Sequence, residues 1–297
     1  MINQWHILGA GAMGKLLACK LARAGLEPVL LLRGGAAADV ELRLRDGCSE
    51  TVFGVPARPL DELDSSHLQA LFITTKANQA LEAFASVASR LPADIPIVLL
   101  HNGMGIYEQL LALHPELNLY CGTTTEGAYL EADGSLVHAG YGDTLIGQAG
   151  STDAPGWFQP LAASDERFAW EADIDASLWR KLIINCAINP LTAVHRCRNG
   201  DLIANPALRA EVELLCEELA SISAARGNAK GASCALDWAL AVLQSTAKNQ
   251  SSMLQDVLQG RETEIEYITG FLCREARRLG VPCPRNERLL REVRQLS

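Results

Sequence analysis

The stretch Trp5-His6-Ile7-Leu8-Gly9-Ala10-Gly11-Ala12-Met13-Gly14 decides the fold of this chain. Its first four residues predict a short buried strand, and a helix is predicted from about residue 13 to residue 24, where Gly25 favours a stop. Glycines spaced Gly-x-Gly-x-x-Gly between a strand and a helix are typical of dinucleotide-binding turns. In such a turn Gly9 bends the chain, Gly11 lets the backbone approach a pyrophosphate, and Gly14 allows close helix packing. The alternative is a tight turn that binds no ligand.

Apolar strands alternate with helices in the sequence that follows. Continuous apolar runs predict buried strands at residues 29–32, 71–74 and 97–100, with a helix at 79–89 and a further strand at 118–122. Residues 136–139 and 144–147 flank a glycine-containing turn and predict an antiparallel hairpin that closes the sheet. Apolar strands between helices indicate a parallel sheet that is covered on both faces. We therefore expect an α/β, Rossmann-type N-terminal domain with helices on both faces of its sheet.

The pattern changes after Asp173, where helical spacing replaces the apolar strands. Val212, Leu215, Leu219 and Ile222, for example, recur at the period of an amphipathic helix. We predict a nucleotide-binding domain over residues 1–173 and an all-helical substrate and catalytic domain over residues 174–297.

A polar stripe crosses one apolar helix of the predicted second domain. Lys181, Asn185 and Asn189 are spaced four residues apart, so a helix would place them on one face. The residues between them are mostly apolar, which predicts a buried helix. Buried polar groups need partners, and either a polar ligand or neighbouring protein groups could supply them. Only 6 of the 26 basic residues are lysines, and a buried lysine, unlike an arginine, can lose its proton near neutral pH.

Composition narrows the class of protein. The net charge of −9 argues against nucleic acid and anionic membrane surfaces as partners. Nine cysteines without a CxxC pair indicate reduced thiols in a cytoplasmic protein, and neither they nor the six histidines show the spacing of metal ligands. We expect no signal peptide and no membrane span, because the N-terminal segment lacks a basic start and no apolar run reaches 18 residues.

The residue that follows the second predicted strand, Arg33, indicates the cofactor. An acid there would bind the ribose 2′-hydroxyl of NAD, whereas Arg33, with no acid before Asp39, favours the 2′-phosphate of NADP. Lys76 follows the next strand and could add a positive charge, or could be an ordinary solvated lysine. Asn102 follows the fourth strand, where open α/β sheets bind ligands. Its pattern alone, however, favours a simple Asn-Gly turn.

Several longer motifs together resemble the ketopantoate reductase (2-dehydropantoate 2-reductase) family. Two of the most specific are His101-Asn102-Gly103-Met104-Gly105 and Ser251-Ser252-Met253-Leu254-Gln255-Asp256. The full set lies at residues 9–14, 75–77, 101–105, 122–125, 178–182, 185–193, 199–200, 251–256 and 263–267. These motifs span nearly the whole chain in the order of the family.

The resemblance implies reduction of 2-dehydropantoate to (R)-pantoate by NADPH, a step towards pantothenate and coenzyme A. It implies that Lys181 is the catalytic group at the ketone oxygen and that Glu264 lies where cofactor and substrate meet. It implies substrate contacts from Asn102, Asn185, Asn189, Asn199 and Ser252. It implies cofactor contacts from Gly9, Ala10, Gly11, Ala12, Met13, Gly14, Arg33, Lys76, Asn102, Ala128 and Glu264. From their local sequence alone, Ser252 would be a surface serine and Glu264 a solvated acid.

Two other functions fit the same sequence. One is a reductase of another small 2-ketoacid on the same scaffold. The other is a non-catalytic NADP-binding sensor, against which the presence of both Lys181 and Glu264 argues. The sequence leaves open whether the protein is a monomer or a homodimer.

Overall fold

The computed structural model describes residues 4–296, which form two compact units. The first unit comprises residues 4–101 and 106–174, and the second comprises residues 102–105 and 175–296. The short segment Asn102–Gly105 therefore groups with residues much later in the chain. Within residues 4–296, no helix is both long enough and apolar enough to cross a membrane.

The first unit is built on one sheet of eleven strands and four α-helices, counted over its described residues. The strands are β1 (Gln4–Leu8), β2 (Glu27–Leu32), β3 (Ala38–Asp46), β4 (Ser49–Pro59), β5 (Leu68–Ile73), β6 (Ile97–Leu99), β7 (Leu119–Thr124), β8 (Gly127–Leu130), β9 (Leu136–Gly140), β10 (Thr144–Gly147) and β11 (Phe168–Trp170). The helices are α1 (Ala12–Arg23), α2 (Ala77–Val87), α3 (Ile106–Leu113) and α4 (Gln159–Ser164).

The centre of the sheet is parallel, in the order β7-β6-β5-β1-β2. The connection from β1 through α1 to β2 runs towards one side edge of the sheet. The connection from β5 through α2 to β6 runs towards the opposite side edge. Since such crossovers are right-handed, α1 covers one face of the sheet and α2 covers the opposite face. The predicted Rossmann-type class is confirmed. The strand order reverses at β1 and β5, and ligands bind outside the carboxyl ends of strands at such a point.

The predicted hairpin between residues 136–139 and 144–147 is wrong. β9 pairs with β8 and β3, and β10 pairs with β7 and β11, so the two segments do not pair with each other. Instead, both lie on the return arm of a longer hairpin whose outgoing arm is β7 and β8. The turn of this hairpin contains Asp133 and Gly134, and Gly134 has a positive φ of 84°. The sequence Asp-Gly is a strong hairpin signal, and it marks the true reversal of the chain.

The antiparallel pair β3 and β4 was not predicted. Its register joins Ala38 to Ala57 and Asp46 to Ser49, with Gly47 in the turn at a φ of 61°. Buried and exposed residues alternate along β3, so it lacks the continuous apolar run on which the prediction relied. It was missed because it faces the core on one side only.

Among the described residues of the second unit, all regular elements are helices, as predicted. Its helices are α5 (Ile174–His195), α6 (Asp201–Ala204), α7 (Pro206–Ala225), α8 (Ala229–Ser245), α9 (Ser252–Leu258), α10 (Thr269–Leu279) and α11 (Pro284–Arg294). Its apolar core includes Leu182, Ile183 and Ile188 of α5 together with Leu215 and Leu219 of α7. Burial of these side chains fixes the rotation of α5, and hence the direction of its polar stripe.

Candidate functional site

The glycine loop between β1 and α1 has the close approaches that its sequence predicts. Gly9 has a φ of 120°, and a Cβ there would lie 2.7 Å from the backbone nitrogen of Thr75. A Cβ on Gly14 would lie 1.9 Å from the carbonyl oxygen of Gly9. Neither position therefore accepts a side chain. At Gly11, by contrast, nothing lies within 4 Å of the place that a Cβ would take. The backbone is thus open to a ligand at the N-terminus of α1.

The start of α1 suits an anionic ligand. Gly11 is the N-cap residue and provides no side-chain hydrogen bond, and the first turn, which includes Ala12 and Met13, contains no acid. The free N–H groups and the positive end of the helix dipole favour a phosphate at such a terminus. Ala10 is half-buried in the loop itself. The loop geometry fits the pyrophosphate of a dinucleotide.

The segment after β5 lies directly against the glycine loop. Thr74 donates a hydrogen bond from Oγ1 to the carbonyl oxygen of Gly9 at 2.8 Å. Lys76 is the N-cap residue of α2 and is half-buried. The buried Oγ1 of Thr75 has no hydrogen-bond partner among the described residues, and neither does Oδ1 of Asn78. Unsatisfied polar atoms beside the glycine loop suit a polar ligand at this edge of the sheet.

Arg33 follows β2 directly and is exposed. Its guanidinium lies 3.9 Å from the carboxylate of Glu82 on α2, and both side chains are more than half exposed. An exposed pair of this kind contributes little to stability, so Arg33 is available to an anionic ligand. Ala128, the remaining predicted cofactor residue of this unit, is half-buried in β8.

In the second unit, α5 carries the polar stripe. Lys181 and Asn185 are half-buried, whereas Asn189 is only 6% exposed. All three lie within the one helix Ile174–His195, so their spacing of four residues places them on one face.

Glu264, which is hydrogen-bonded to Asn102, provides a negative charge that acts on Lys181. Glu264 is 8% exposed, and its Oε2 accepts a hydrogen bond of 2.9 Å from Nδ2 of Asn102. Burial lowers the pKa of Lys181 to about 8, and the negative charge of Glu264 acts in the opposite direction. A lysine with this pKa is charged at neutral pH and can still donate its proton readily. The sequence did not indicate the contact between Asn102 and Glu264.

The position of Asn102 depends on the two residues that follow it. Gly103 has a φ of 82°, and a Cβ there would lie 2.4 Å from the carbonyl oxygen of Tyr267. The amide of Met104 donates a hydrogen bond of 2.9 Å to the same oxygen. This backbone contact holds the segment Asn102–Gly105 against residues near Glu264. It requires glycine at position 103, so the Asn-Gly pair does more than form a turn.

Two other predicted substrate residues lie in the second unit. Asn199 is 6% exposed and donates from Nδ2 to Oγ1 of Thr246 at 2.8 Å, while its buried Oδ1 has no partner among the described residues. Ser252 is exposed at the first position of α9. Its neighbour Ser251 is buried, accepts a hydrogen bond from the amide of Leu254 and lies 2.6 Å from the hydroxyl of Thr192. Ser251 thus has a structural role that leaves Ser252 free to face a ligand.

Comparisons with known proteins agree with these features. Residues 5–151 match the family model "Ketopantoate reductase PanE/ApbA", and residues 173–297 match its C-terminal counterpart. The 2-dehydropantoate 2-reductase of Shigella flexneri is 40% identical, over 97% of this chain and 93% of that protein.

Solved structures share the fold. The crystal structure of a probable 2-dehydropantoate 2-reductase from Bacillus subtilis is similar, with a TM-score of 0.78 and 28% identity over 99% of this chain and 100% of that one. A ternary structure of D-mandelate dehydrogenase with NADH and anilino(oxo)acetate has a TM-score of 0.87, with 23% identity over 99% of this chain and 98% of that one. At that identity the second likeness shows the fold alone. The matches of both family models and the 40% identity show that the chain belongs to the ketopantoate reductase family.

Proposed function

We propose that this protein reduces 2-dehydropantoate to (R)-pantoate with NADPH, the step that provides pantoate for pantothenate and coenzyme A biosynthesis. The observation that carries the proposal is the half-buried Lys181, whose pKa is lowered to about 8, in the field of the buried carboxylate of Glu264. Membership of the ketopantoate reductase family supports the choice of substrate.

The proposed mechanism assigns the acid and the electrostatic roles to Lys181 and Glu264. Bound NADPH supplies the hydride. As negative charge develops on the ketone oxygen, the ammonium of Lys181 stabilises it and then donates a proton from Nζ. Glu264 keeps Lys181 charged despite burial. Asn102, through its hydrogen bond to Oε2, fixes the direction of that carboxylate.

The amides and the hydroxyl orient the substrate without adding charge. We assign the substrate contacts to Asn185, Asn189, Asn199 and Ser252, in addition to Asn102. Neutral donors and acceptors suit a small hydroxylated carboxylate, because they fix its orientation through hydrogen bonds. The assignment is supported by Oδ1 of Asn199, which has no hydrogen-bond partner within residues 4–296, and by the exposed position of Ser252.

We assign the cofactor to the first unit, with the pyrophosphate on the loop from Gly9 to Gly14. Arg33 and Lys76 would pair with the 2′-phosphate of NADP, and the backbone of Ala128 would contact the nicotinamide end. We also assign cofactor contacts to Glu264 and Asn102. Preference for NADP rests on Arg33, since it stands where an acid would select NAD.

Steady-state turnover tests the proposal directly. Oxidation of NADPH is followed with 2-dehydropantoate and, in parallel, with 2-oxo-2-phenylacetate, the ketoacid that corresponds to mandelate. We expect a higher kcat/KM with 2-dehydropantoate. A higher value with the phenyl ketoacid would indicate a reductase of another 2-ketoacid, and cofactor binding without turnover of either would indicate a sensor.

A further inference from the structure

The long hairpin of the first unit is interrupted at the carboxyl edge of the sheet. The antiparallel pairing of β7 with β10 ends at Thr124 and Thr144, and pairing resumes at Gly127 and Gly140. β7 is parallel to β6, so its last residue lies at the edge where β1 and β5 also end. The interruption at residues 125–126 is therefore at the same edge as the glycine loop.

A buried charged cluster lies at this interruption. Glu126 has a side chain only 2% exposed, and its Oε1 is 2.5 Å from Nζ of Lys20 on α1. Its Oε2 is 2.5 Å from Nε2 of His138, whose side chain is 6% exposed. Lys20 also lies 3.1 Å from the carboxylate of Asp165. We call Lys20, Glu126 and His138 the hairpin cluster.

The backbone of Glu126 lies in the gap between the two paired stretches, next to a contact between Thr125 and Asp143. The amide of Thr125 donates to the carbonyl oxygen of Asp143 at 3.0 Å, and the amide of Asp143 donates to Oγ1 of Thr125 at 3.0 Å. The amide of Glu126 donates to Oγ1 of its neighbour Thr124 at 3.1 Å. On the return arm, a Cβ on Gly142 would lie 2.2 Å from Oγ1 of Thr125. The side chain of Glu126, held from two sides by Lys20 and His138, adds a second anchor to this segment.

Stability alone is a poor reason for such a cluster. Removing charges from water opposes their attraction, so apolar side chains of similar size often stabilise a fold as well or better. What the cluster provides is a fixed position, since one carboxylate joins α1 to both arms of the hairpin. Two residues later the chain reaches Ala128, which is half-buried.

We propose that Lys20, Glu126 and His138 are positioning residues that fix residues 125–128 and, through the backbone of Ala128, the nicotinamide end of the cofactor. The inference rests on the proposed function, which places Ala128 against the nicotinamide. The pyrophosphate and the 2′-phosphate are bound elsewhere in the unit, so loss of the cluster would disturb orientation more than affinity. Misplacement of a reacting group by about 1 Å can lower a rate by about a hundredfold.

The test compares Glu126→Gln with Glu131→Gln. Glu131 is a matched control, because it lies in the same hairpin and pairs with Arg45 near the tip. In the ligand-free protein, we expect hydrogen exchange of the amides of residues 125–128 to be at least about tenfold faster in Glu126→Gln and unchanged in the control. With NADPH, we expect a kcat lower by about ten- to a hundredfold, and a Kd for NADPH within about threefold of the native value.

A readout without ketoacid is the fluorescence of bound NADPH. We expect its emission in Glu126→Gln to move towards that of the free cofactor, because the nicotinamide is held less firmly. If Glu126→Gln does not fold, Glu126→Asp replaces it, since a shorter side chain keeps the charge but does not reach both partners.

Two results would overturn the inference. One is unchanged exchange at residues 125–128, and the other is faster exchange with native kcat and native fluorescence of bound NADPH, which would mark the cluster as structural only. A native protein that does not reduce 2-dehydropantoate would contradict the proposed function instead. The exchange and the fluorescence would still decide the role of the cluster.

Discussion

Two opposing effects set the pKa of the ammonium group of Lys181. Burial disfavours the charge and lowers the pKa of Lys181 to about 8, while Glu264 favours the charge. An arginine at this position would keep its proton throughout the neutral range and could act only as a fixed charge. In the proposed mechanism this position needs a proton donor, and it is occupied by a lysine in a chain with 20 arginines among its 26 basic residues.

We predict that Lys181→Ala lowers kcat by at least about a hundredfold, the usual contribution of a general acid. Arg180→Ala is the matched control, because Arg180 is the preceding basic residue of α5, is exposed and lies over the ring of Trp238. Steady-state kinetics should show near-native turnover for the control. Native turnover in Lys181→Ala would assign the polar stripe a structural role only.

The pH dependence follows from the charged form of Lys181. Because the ammonium is the acid, kcat for reduction should be constant below about pH 8 and fall at higher pH. Glu264 raises the pKa of Lys181, so Glu264→Gln should move the falling limb to lower pH. A kcat profile from pH 6 to 10, for both proteins, measures the shift. If kcat falls at the same pH in the native protein and in Glu264→Gln, Glu264 does not raise the pKa of Lys181.

Arg33 decides the cofactor in our proposal. Arg33→Ala should raise the KM for NADPH and leave that for NADH nearly unchanged, because only the 2′-phosphate is lost as a partner. Glu82→Gln is the complementary variant, since it removes the carboxylate that lies 3.9 Å from Arg33. It should lower the KM for NADPH slightly, because it frees the guanidinium of Arg33 from a competing carboxylate. Equal kcat/KM for both cofactors in the native protein would contradict the assignment.

At the scale of elements, the start of α9 places a capping serine, Ser251, next to Ser252, the serine that we propose binds the substrate. Ser251 caps the helix through the amide of Leu254 and contacts Thr192 of α5, whereas Ser252 is exposed. The two adjacent residues have the same side chain and different environments. Their alanine variants therefore form a natural pair for comparison.

We predict that the alanine variant of Ser251 affects stability and that the alanine variant of Ser252 affects substrate binding. Ser251→Ala should lower the free energy of unfolding by about 1 kcal/mol, the usual effect of removing an N-cap side chain. Ser252→Ala should leave stability nearly unchanged and weaken 2-dehydropantoate binding by about 1–3 kcal/mol, since it leaves a polar group of the substrate unpaired. Denaturant unfolding and calorimetry at saturating NADPH measure the two quantities. Native substrate affinity in Ser252→Ala would exclude Ser252 from the site.

Elements with a strong local pattern could be predicted, and those that depend on distant partners could not. β1, β2, β5 and β6 were predicted close to their observed positions, because strands buried on both faces are apolar throughout. β3 and β4 alternate in burial, and the pairing of β9 and β10 was set by partners outside the local sequence.

The candidate site divides in the same way. The spacing of Lys181, Asn185 and Asn189 is a property of one helix, so their common face was predictable. The hydrogen bond between Asn102 and Glu264 joins residues 162 positions apart. No local pattern encodes such a contact.

For the whole molecule, the proposed binding roles are divided between the two units. The glycine loop, Arg33, Lys76 and Ala128 belong to the first unit, and the polar stripe of α5 belongs to the second. Asn102 and Glu264, to which we also assign cofactor contacts, are the exceptions in the second unit. For Asn185 and Asn189, which we assign to the substrate alone, the division predicts that alanine variants leave the affinity for NADPH alone unchanged.

Asn189→Ala tests this division. It should weaken 2-dehydropantoate binding by about 1–3 kcal/mol, because it removes a buried polar partner of the substrate. Binding of NADPH alone should match that of the native protein. Asn205→Ala is the control, because Asn205 caps α7 at the amide of Ala207, and its loss should affect stability and neither binding reaction. Calorimetry with each ligand distinguishes these outcomes, and weaker NADPH binding in Asn189→Ala would contradict the division.

The grouping of Asn102–Gly105 with the second unit limits how this protein can be cut or recombined. A fragment that began at Asp175 would contain Lys181 and Glu264 but lack the amide of Asn102. It would also lose the backbone contact of Met104 with Tyr267. An exchange of helical domains between relatives would need to transfer four residues from the middle of the other domain as well. The residues of the second compact unit are therefore not contiguous in the chain, and a single genetic crossover would not transfer all of them.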